Sequence, residues 1–564
     1  MTNLMETAKK QIIQLIKQSV QTAAEREKLP EISLGDITIE IPREKHHGDF
    51  ATNVAMQITK QAKKPPRVIA QILVESMVMA DTFVEKVEIA GPGFINFYFK
   101  KEWLYAVIPA IEKEKEAYGK VNIGQNEKVM VEFVSANPTG PMHMGNARGG
   151  ALGDCLASVL SWAGYDVTRE FYVNDAGNQI EKFGKSLEAR YIQVLKGEEA
   201  ITFPEDGYHG EDIKQRAQEF IQINGDKYLS VDTEQRKKAL VAYALEKNVT
   251  SLEKDLKRYG ITYDIWFRES ELYKNNEVAE TISYLKAQGY TYEKEDAVWF
   301  KASQFGAEKD EVLVRNNGIP TYFAADIAYH RNKLVKRNFD KVIDIWGADH
   351  HGHVARMKGA MQAIGCDPDK LEVIIMQLVR LLRNGEVARM SKRTGKAVTL
   401  SDLLEETSID AARFFFNMRQ AASHLDFDLD LAVSQSDENP VYYVQYAHAR
   451  ICSIIRVLAE EGINLPACDD IDLTLLKKEE EIALFKQMAQ FPEEIKYAAI
   501  TMEPSKITRY VMDIAALFHS FYNACRVKCE DEKLMFARLK LVDSVRIVIQ
   551  NALSILSVSA PEKM

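Results

Sequence analysis

The sequence has little cysteine, no long apolar run and no excess of glycine or proline. Its six cysteines are scattered along 564 residues, which excludes a disulfide framework and a paired C-x-x-C zinc site. Only Cys525 and Cys529 are close, and their four-residue spacing within a helical pattern favours packing over metal ligation. We therefore expect neither zinc nor any other metal ion held by the protein itself.

Targeting and membrane signals are also missing. The opening residues, MTNLMETAKKQ, lack the apolar core of a signal peptide, and no apolar segment is long enough to cross a bilayer. These absences predict a soluble, cytoplasmic protein with no membrane contact.

The composition is that of an ordinary globular chain, with 46% hydrophobic and 27% charged residues. Its length allows for about three to five domains. The net charge of −10 argues in bulk against a nucleic-acid partner. Binding needs only a local basic face, however, so the net charge does not decide this question.

The sequence pattern divides the chain into three sections, and the two terminal sections differ in their predicted secondary structure. Residues 1–122 are predicted to form a small α+β domain, in which an amphipathic helix precedes a strand in GDITIEIP and a helix in DFATNVAMQITKQAKK. Two further strands flank the Gly91-Pro92-Gly93 turn. Residues 435–564 show helical patterns only, which predicts a separate all-α domain.

Residues 123–434 alternate between strand and helix patterns, which predicts a doubly wound parallel, Rossmann-like α/β sheet. A βαβ unit is formed by the segments KVMVEFVS, ARGGALGDCLASVLSWAG and YDVTREFYVND. The alternation resumes in DEVLVRN, TYFAADIAYHRNKL, FDKVIDIWGADHH and LEVIIMQLVRLL. The charged, helical-looking sequence from about 180 to 290 is interpreted as an insertion.

The loop after KVMVEFVS is the first candidate site, because ligands of open α/β sheets lie outside the carboxyl ends of the strands. Pro138, Gly140 and Pro141 stiffen this loop, and Gly145 allows a ligand to approach the backbone closely. The following helix directs its first amides toward a phosphate. The alternative is a plain Pro/Gly connection with one surface histidine, His143.

A basic loop is the second candidate site. It follows an Asn384-Gly385 turn and reads Arg389-Met390-Ser391-Lys392-Arg393-Thr394-Gly395-Lys396. Its cationic side chains suit a clamp for pyrophosphate, whose charge grows in the transition state. A solvated basic loop is the alternative.

The run GADHHGH follows the strand KVIDIW. Its Asp349, His350, His351 and His353 have the chemistry of metal ligands. The run lies at a predicted strand end facing the same cleft, however, so contact with a nucleotide is the favoured interpretation. Structural polar packing is the third alternative.

Tyr322 and Asp326 in TYFAADIAYH are four residues apart and share one face of a predicted helix. A carboxylate in this position can accept two parallel charged hydrogen bonds from a guanidinium group. An ordinary pair on a helix surface is the alternative.

The final helical section places Tyr442, Tyr446 and Arg450 at helical spacing. Unpaired nucleic-acid bases stack on aromatic rings and guanidinium planes. Core packing is the alternative for at least half of the rings in this stretch.

The segment EFVSANPTGPMHMGNARGGALGD resembles the HIGH-motif region of class I aminoacyl-tRNA synthetases, in the extended form of the arginyl-tRNA synthetase family. His143 and Gly145 match the motif, and Asn146 replaces its last histidine. An asparagine at this position retains a hydrogen-bond donor but cannot carry a positive charge. RMSK resembles the KMSKS motif, with Arg389 replacing the first lysine and Lys392 matching the second.

The resemblance covers nearly the whole chain and is weakest in the insertion. GDFATNVAMQ and AGPGFINF are similar to the extra N-terminal domain of that family, which meets the corner of the tRNA. The stretch that begins at Tyr442 resembles the opening of the anticodon-binding DALR domain, and SAPEKM resembles its end.

The resemblance implies a role for each candidate residue. The catalytic residues are His143, Asn146 and Lys392. The ATP-binding residues are Pro138, Thr139, Gly140, His143, Gly145, Asn146, Gly347, Asp349, His350, Met390, Ser391 and Lys392. The arginine-binding residues are Glu132, Ser135, Asn137, Tyr322 and Asp326, and the tRNA-binding residues are Tyr442, Tyr446 and Arg450.

The activity implied is that of an arginine–tRNA ligase, with ATP, Mg²⁺, arginine and its tRNA as partners and a monomer as the expected state. Arginine would attack the α-phosphate of ATP, and the arginyl-adenylate would then react with the terminal ribose of the tRNA. The resemblance also implies that activation needs bound tRNA. The alternatives are another class I synthetase, such as a cysteinyl enzyme, and a non-catalytic tRNA-binding paralogue.

Overall fold

The structure, a computed structural model, describes residues 3–42, 44, 47–388 and 398–564. Its N-terminal section contains α1 (Leu4–Glu25), β1 (Phe50–Thr52), α2 (Val54–Gln57), α3 (Thr59–Ala62), α4 (Pro66–Ser76), β2 (Val84–Ala90), β3 (Phe94–Phe99), α5 (Lys101–Tyr105) and α6 (Val107–Glu114). The predicted first helix begins at the Asn3 cap, whose side chain accepts a hydrogen bond from the Glu6 amide (2.9 Å).

Two predictions for this section are wrong. Residues 35–42 form no strand, and a single bridge joins Glu40 to Ala51. The helix predicted from Asp49 onward begins instead as the strand β1, which pairs antiparallel with β3 in a sheet of order β1-β3-β2. Pairing buries Phe50 against the ring of Phe99 (centroids 5.2 Å apart), so tertiary packing overrides the local helical pattern.

The central section contains a first group of elements: β4 (Lys128–Glu132), α7 (Met144–Trp162), β5 (Asp166–Val173), α8 (Gly177–Lys196), α9 (Glu211–Asn224), α10 (Thr233–Arg258), β6 (Ile265–Arg268), α11 (Glu269–Lys274), α12 (Glu277–Ala287), β7 (Thr291–Lys294), β8 (Ala297–Phe300) and β9 (Glu311–Val314). A second group completes it: α13 (Tyr322–Arg331), β10 (Lys341–Gly347), α14 (His353–Ala363), β11 (Leu371–Met376), β12 (Val379–Arg383), β13 (Glu386–Val387), α15 (Leu400–Glu406), α16 (Ile409–Phe416), β14 (Leu425–Asp428) and α17 (Leu429–Val433).

The doubly wound parallel sheet is confirmed, with the strand order β11-β10-β4-β5-β6 and parallel pairing throughout. The chain runs outward from β4 to β6 on one side and from β10 to β11 on the other. The strand order therefore reverses between β4 and β10, and ligands bind at such a switch point. The loops after Glu132 and Gly347 leave the sheet there.

Two segments differ from the expected alternation. DEVLVRN contains β9, which belongs to a separate antiparallel sheet of order β7-β8-β9 and not to the central sheet. Conversely, β6 lies within the insertion expected at about 180–290, yet it forms the edge of the central sheet. Within the expected insertion, the part before β6 forms a separate helical unit. Its helices α8, α9 and α10 share a small core of their own.

The C-terminal section is helical, as predicted: α18 (Pro440–Glu460), α19 (Glu479–Thr501), α20 (Ser505–Ala524) and α21 (Glu532–Ile555). Buried Arg413 of α16 joins it to the central section, since its guanidinium donates to the Leu556 carbonyl (3.0 Å) and pairs with Asp154 of α7 (2.5 Å). In the described part of the chain, no helix is both long and apolar enough to span a membrane.

Candidate functional site

The loop after β4 begins with a strained turn. The Ser135 amide donates to the Phe133 carbonyl (3.0 Å), and both Val134 and Ser135 have positive φ, 69° and 41°. A β-branched residue in this region is an outlier whose conformation costs on the order of 1–3 kcal/mol. Such strain is typical of functional sites, and no sequence signal marks it at Val134.

Ser135 is fixed between two strands. Its hydroxyl donates to Glu132 Oε1 (2.9 Å) of β4 and accepts from the Tyr172 amide (3.1 Å) of β5. Asn137, two residues further on, is exposed. Three of the residues expected to bind arginine thus lie at one end of the central strand β4.

The HIGH-like segment lies at the start of α7. His143 is exposed at the N-cap, and its amide donates to Asn146 Oδ1 (3.0 Å). This bond occupies the carbonyl end of the Asn146 side chain and leaves its two N–H donors directed elsewhere. Asn146 therefore stabilises the helix start and can still donate to a ligand.

The basic loop carrying Met390, Ser391 and Lys392 lies outside the described residues. The chain that follows it is described and runs beside the HIGH-like segment. The Met144 amide donates to the Val398 carbonyl (3.3 Å), and the Leu400 amide donates to the Met142 carbonyl (2.9 Å).

Tyr322 and Asp326 share one face of the first turns of α13, as predicted from their spacing. Tyr322 is 39% exposed and lines a cavity of about 300 Å³ together with Tyr273 and Gly177. Asp326 Oδ2 is 3.2 Å from His353 Nε2, which holds the carboxylate in one orientation. His353, considered above as a metal ligand, thus contacts the carboxylate predicted to bind arginine.

A row of three carboxylates lies beneath α13. Glu132, Glu170 and Asp344 occupy paired positions on the adjacent strands β4, β5 and β10, so their side chains share one face of the sheet. We call these residues the acidic row. Their spacing of about 4.8 Å, set by the distance between strands, would be strongly repulsive without cations.

Cations from the π-helical turn that follows α13, Asn332–Lys336, and from its C-cap residue Arg337 cover the acidic row. Fully buried Lys333 places Nζ 2.5 Å from Glu132 and 2.9 Å from Asp344, and Arg337 pairs with Glu170 (3.0 Å). Burial disfavours the ionised form of Asp344, but Lys333 and His330 hold its pKa at about 2.

Glu269 is a buried carboxyl group that the sequence analysis missed. It is 2% exposed, and its Oε1 has no hydrogen-bond partner. Burial raises its pKa to about 7, and the nearby carboxylates of Asp326 and Asp175 add to this effect, which a hydrogen bond with Tyr172 opposes. A sequence gives no signal for it, because its neighbours Tyr172, Asp175 and Asp326 are distant from it along the chain.

The GADHHGH run turns away from β10 at Gly347. Asp349 and His350 are exposed in a short turn, with His350 Nε2 3.5 Å from Asp349 Oδ2. Among the described residues, no group of three or more histidine, cysteine or carboxylate side chains is arranged to hold a metal ion.

Tyr442, Tyr446 and Arg450 follow one another along α18. The rings of Tyr442 and Tyr446 stack (centroids 6.0 Å, 8° between planes), and the Arg450 guanidinium lies between the rings of Tyr446 and Tyr522, 4.5 and 4.4 Å from their centres. Arg450 borders a cavity of about 910 Å³ that also receives Arg456. The surface offers stacking planes and positive charge together.

Comparison with known proteins finds relatives for all three sections of the chain. Family models of the arginyl tRNA synthetase N terminal domain, the class I (R) tRNA synthetase catalytic domain and the DALR anticodon binding domain match residues 10–99, 107–429 and 444–564. Arginine–tRNA ligases of Acetivibrio thermocellus and Ruminiclostridium cellulolyticum are 63% and 61% identical over 564 residues, covering 100% of both chains. Thermus thermophilus arginyl-tRNA synthetase has a similar fold, with a TM-score of 0.74 at 23% identity over 98% of this chain and 99% of that one.

Proposed function

This chain belongs to the arginyl-tRNA synthetase family and is a class I arginine–tRNA ligase, and we propose that Asp326 recognises the arginine side chain. The observation that carries this assignment is the pairing of Tyr322 and Asp326 on one face of α13 beside the cavity of about 300 Å³. The Asp326 carboxylate offers charge, and the Tyr322 hydroxyl offers a neutral hydrogen bond. Together they match the planar fork of a guanidinium.

The other end of the amino acid is assigned to the loop after β4. Ser135 and Asn137 are proposed to bind the backbone atoms of arginine, with Glu132 close by. The hydrogen bond from the Ser135 hydroxyl to Glu132 Oε1 supports this, because it holds Ser135 beside that carboxylate. The strained turn at Val134 supports it as well, since it sets the position of Ser135.

ATP is proposed to bind across the switch point between β4 and β10. Pro138, Thr139, Gly140, His143, Gly145 and Asn146 would contact it from one side and Gly347, Asp349 and His350 from the other. His143, Asn146 and Lys392 would stabilise the charge that develops at the phosphates, with Met390 and Ser391 beside Lys392. Positioning and charge stabilisation are sufficient for attack by the arginine carboxylate at the α-phosphate.

Mg²⁺ is proposed to enter with ATP as part of the substrate. Mg²⁺ at such sites keeps several waters and binds substrate phosphates through few protein carboxylates. The protein's own groups then bind the nucleotide and the amino acid, and the metal offsets phosphate charge.

The tRNA is proposed to place its anticodon on Tyr442, Tyr446 and Arg450. The alternating rings and guanidinium planes around the cavity of about 910 Å³ support this role. We further propose that the enzyme acts as a monomer in the cytoplasm.

Aminoacylation with each amino acid and unfractionated tRNA tests the proposal. Charging with arginine alone is expected, and it should be lost in Asp326→Ala while the fold is retained. Arginine charging at the parent rate in Asp326→Ala would remove Asp326 from the arginine site.

A further inference from the structure

The loop proposed to bind ATP is held from outside the central sheet. Asn248 of α10 is 6% exposed, and its Nδ2 donates to the carbonyl oxygen of Pro138 at 2.8 Å. Pro138 is itself buried, so this bond satisfies an acceptor that water does not reach. The two residues are 110 positions apart in the chain, so the contact is purely tertiary.

The other end of the Asn248 amide is also fixed. Arg216 of α9 donates from Nε to Asn248 Oδ1 at 2.8 Å, and its NH1 pairs with Glu219 at 2.8 Å. Flipping the amide would set two donors against each other and an acceptor against the Pro138 carbonyl. The Asn248 donor therefore has one stable direction, toward the loop.

Asn248 lies where α10 passes from one core to another. The first half of α10 packs with α8 and α9 through Leu240 and Ala244, and its second half joins the main core through Leu252 and Leu256. The α9 helix also approaches the loop, because a Cβ at Gly140 would be 3.7 Å from an oxygen of Asp212. The three-helix unit therefore meets the loop at two places.

We propose that Asn248, oriented by Arg216, is a positioning residue for ATP binding, and that the helical unit α8–α10 acts as a support for the ATP loop. This rests on the proposed ATP site at residues 138–146. The Pro138 carbonyl is drawn toward α10, which sets the path of the chain to His143. Loss of the bond would let the loop shift and weaken ATP binding more than arginine binding, because the arginine side chain is assigned to Tyr322 and Asp326 on α13.

Asn248→Asp tests the bond selectively. The variant keeps an acceptor for Arg216, now charged, but has no donor for Pro138. We expect the KM for ATP to rise about tenfold, in line with losing one buried hydrogen bond and leaving its acceptor unpaired. The KM for arginine should stay within about twofold, and kcat should fall less than the KM for ATP rises.

Two further variants complete the design, all assayed in the full-length enzyme with tRNA present. Arg216→Gln removes the guanidinium whose Nε orients Asn248 and should raise the KM for ATP by about threefold. Asn224→Asp is the matched control, since Asn224 caps its own helix by donating to the Phe220 carbonyl (3.1 Å), and it should leave the KM for ATP unchanged.

The outcomes separate this inference from the proposed ATP site. An unchanged KM for ATP in Asn248→Asp and Arg216→Gln, with His143→Ala impaired, would overturn the support role alone. Equal increases in KM for ATP and arginine would also overturn it, because they indicate general loosening. If His143→Ala retained the parent rate of adenylate formation, the ATP site itself would be misassigned.

Discussion

His330 Nε2 lies 2.8 Å from Asp344 Oδ2, and its Nδ1 lies 2.8 Å from the backbone oxygen of Asp326. Both partners are acceptors, since the low pKa of Asp344 keeps its carboxyl ionised. Each ring nitrogen is thus directed at an oxygen atom, one on β10 and one on α13. His330 thereby ties the acidic row to the helical turn that carries Asp326.

Replacing His330 with Gln should weaken both stability and arginine binding. Asp344 would lose one charge-assisted hydrogen bond, at a cost of about 2 kcal/mol in the free energy of unfolding. The KM for arginine should rise more than the KM for ATP, because the Asp326 turn loses its anchor. His209→Gln, at an exposed histidine bonded only to the nearby Glu205 carbonyl, is the control. Equal behaviour of the two variants would contradict this role.

Asp326→Asn should lower kcat/KM for arginine by at least about tenfold and up to about a thousandfold. The change removes a charge and keeps the shape, and a charge-assisted hydrogen bond is worth roughly 1.5–3 kcal/mol, or about 3–5 kcal/mol when a buried cation is left unpaired. Tyr322→Phe should cost less, because it removes a neutral hydroxyl. Citrulline is nearly isosteric with arginine but uncharged, so its kcat/KM should fall far less than that of arginine in Asp326→Asn. A shared factor for both amino acids would make Asp326 structural.

Glu269→Gln should change how stability depends on pH. The pKa of Glu269 is raised from 4.5 to about 7 in the folded protein, so the folded state binds more protons between these values and loses stability as pH rises through that window. The difference amounts to about 3 kcal/mol at most, at 1.36 kcal/mol per pKa unit. The variant should therefore gain stability relative to the parent at about pH 8 and not at about pH 4. Urea unfolding at both pH values measures this, and a constant difference would contradict it.

His143→Ala and Lys392→Ala should each slow adenylate formation by about 10²–10³-fold, the usual effect of losing one transition-state donor. Asn146→Asp keeps an acceptor for the His143 amide but loses the N–H donors, and should also slow the reaction. Rapid-quench measurement with tRNA present reports this step. Parent rates in His143→Ala would remove His143 from the catalytic residues.

Arg450→Ala should raise the KM for tRNA and leave those for ATP and arginine unchanged. Its guanidinium sits between two rings, and a stacking plane is worth about 1–3 kcal/mol per base. Arg456→Ala, at the same cavity but without a ring on either side of it, should have the smaller effect.

Removal of the residues after about 435 should abolish charging altogether. A truncated enzyme with full activity would remove the case for anticodon binding by the helical section.

Local patterns determined much of this protein. The four-residue spacing of Tyr322 and Asp326 sets them on one helix face whatever the fold around them. The strand that begins at Lys128 and the helix that contains Ala147 follow from residue patterns, and so does the loop between them that carries His143. These features depend on neighbours within a few residues, which a sequence displays directly.

Strand order and register decided the rest. The acidic row exists because β5, β4 and β10 are adjacent and in register. The segment 35–42 forms no strand and meets the sheet at a single bridge between Glu40 and Ala51. Lys333, Glu269 and Asn248 gain their roles from partners on other elements. Burial makes such contacts strong by excluding water, and burial is a property of the packed molecule that no single segment of the chain specifies.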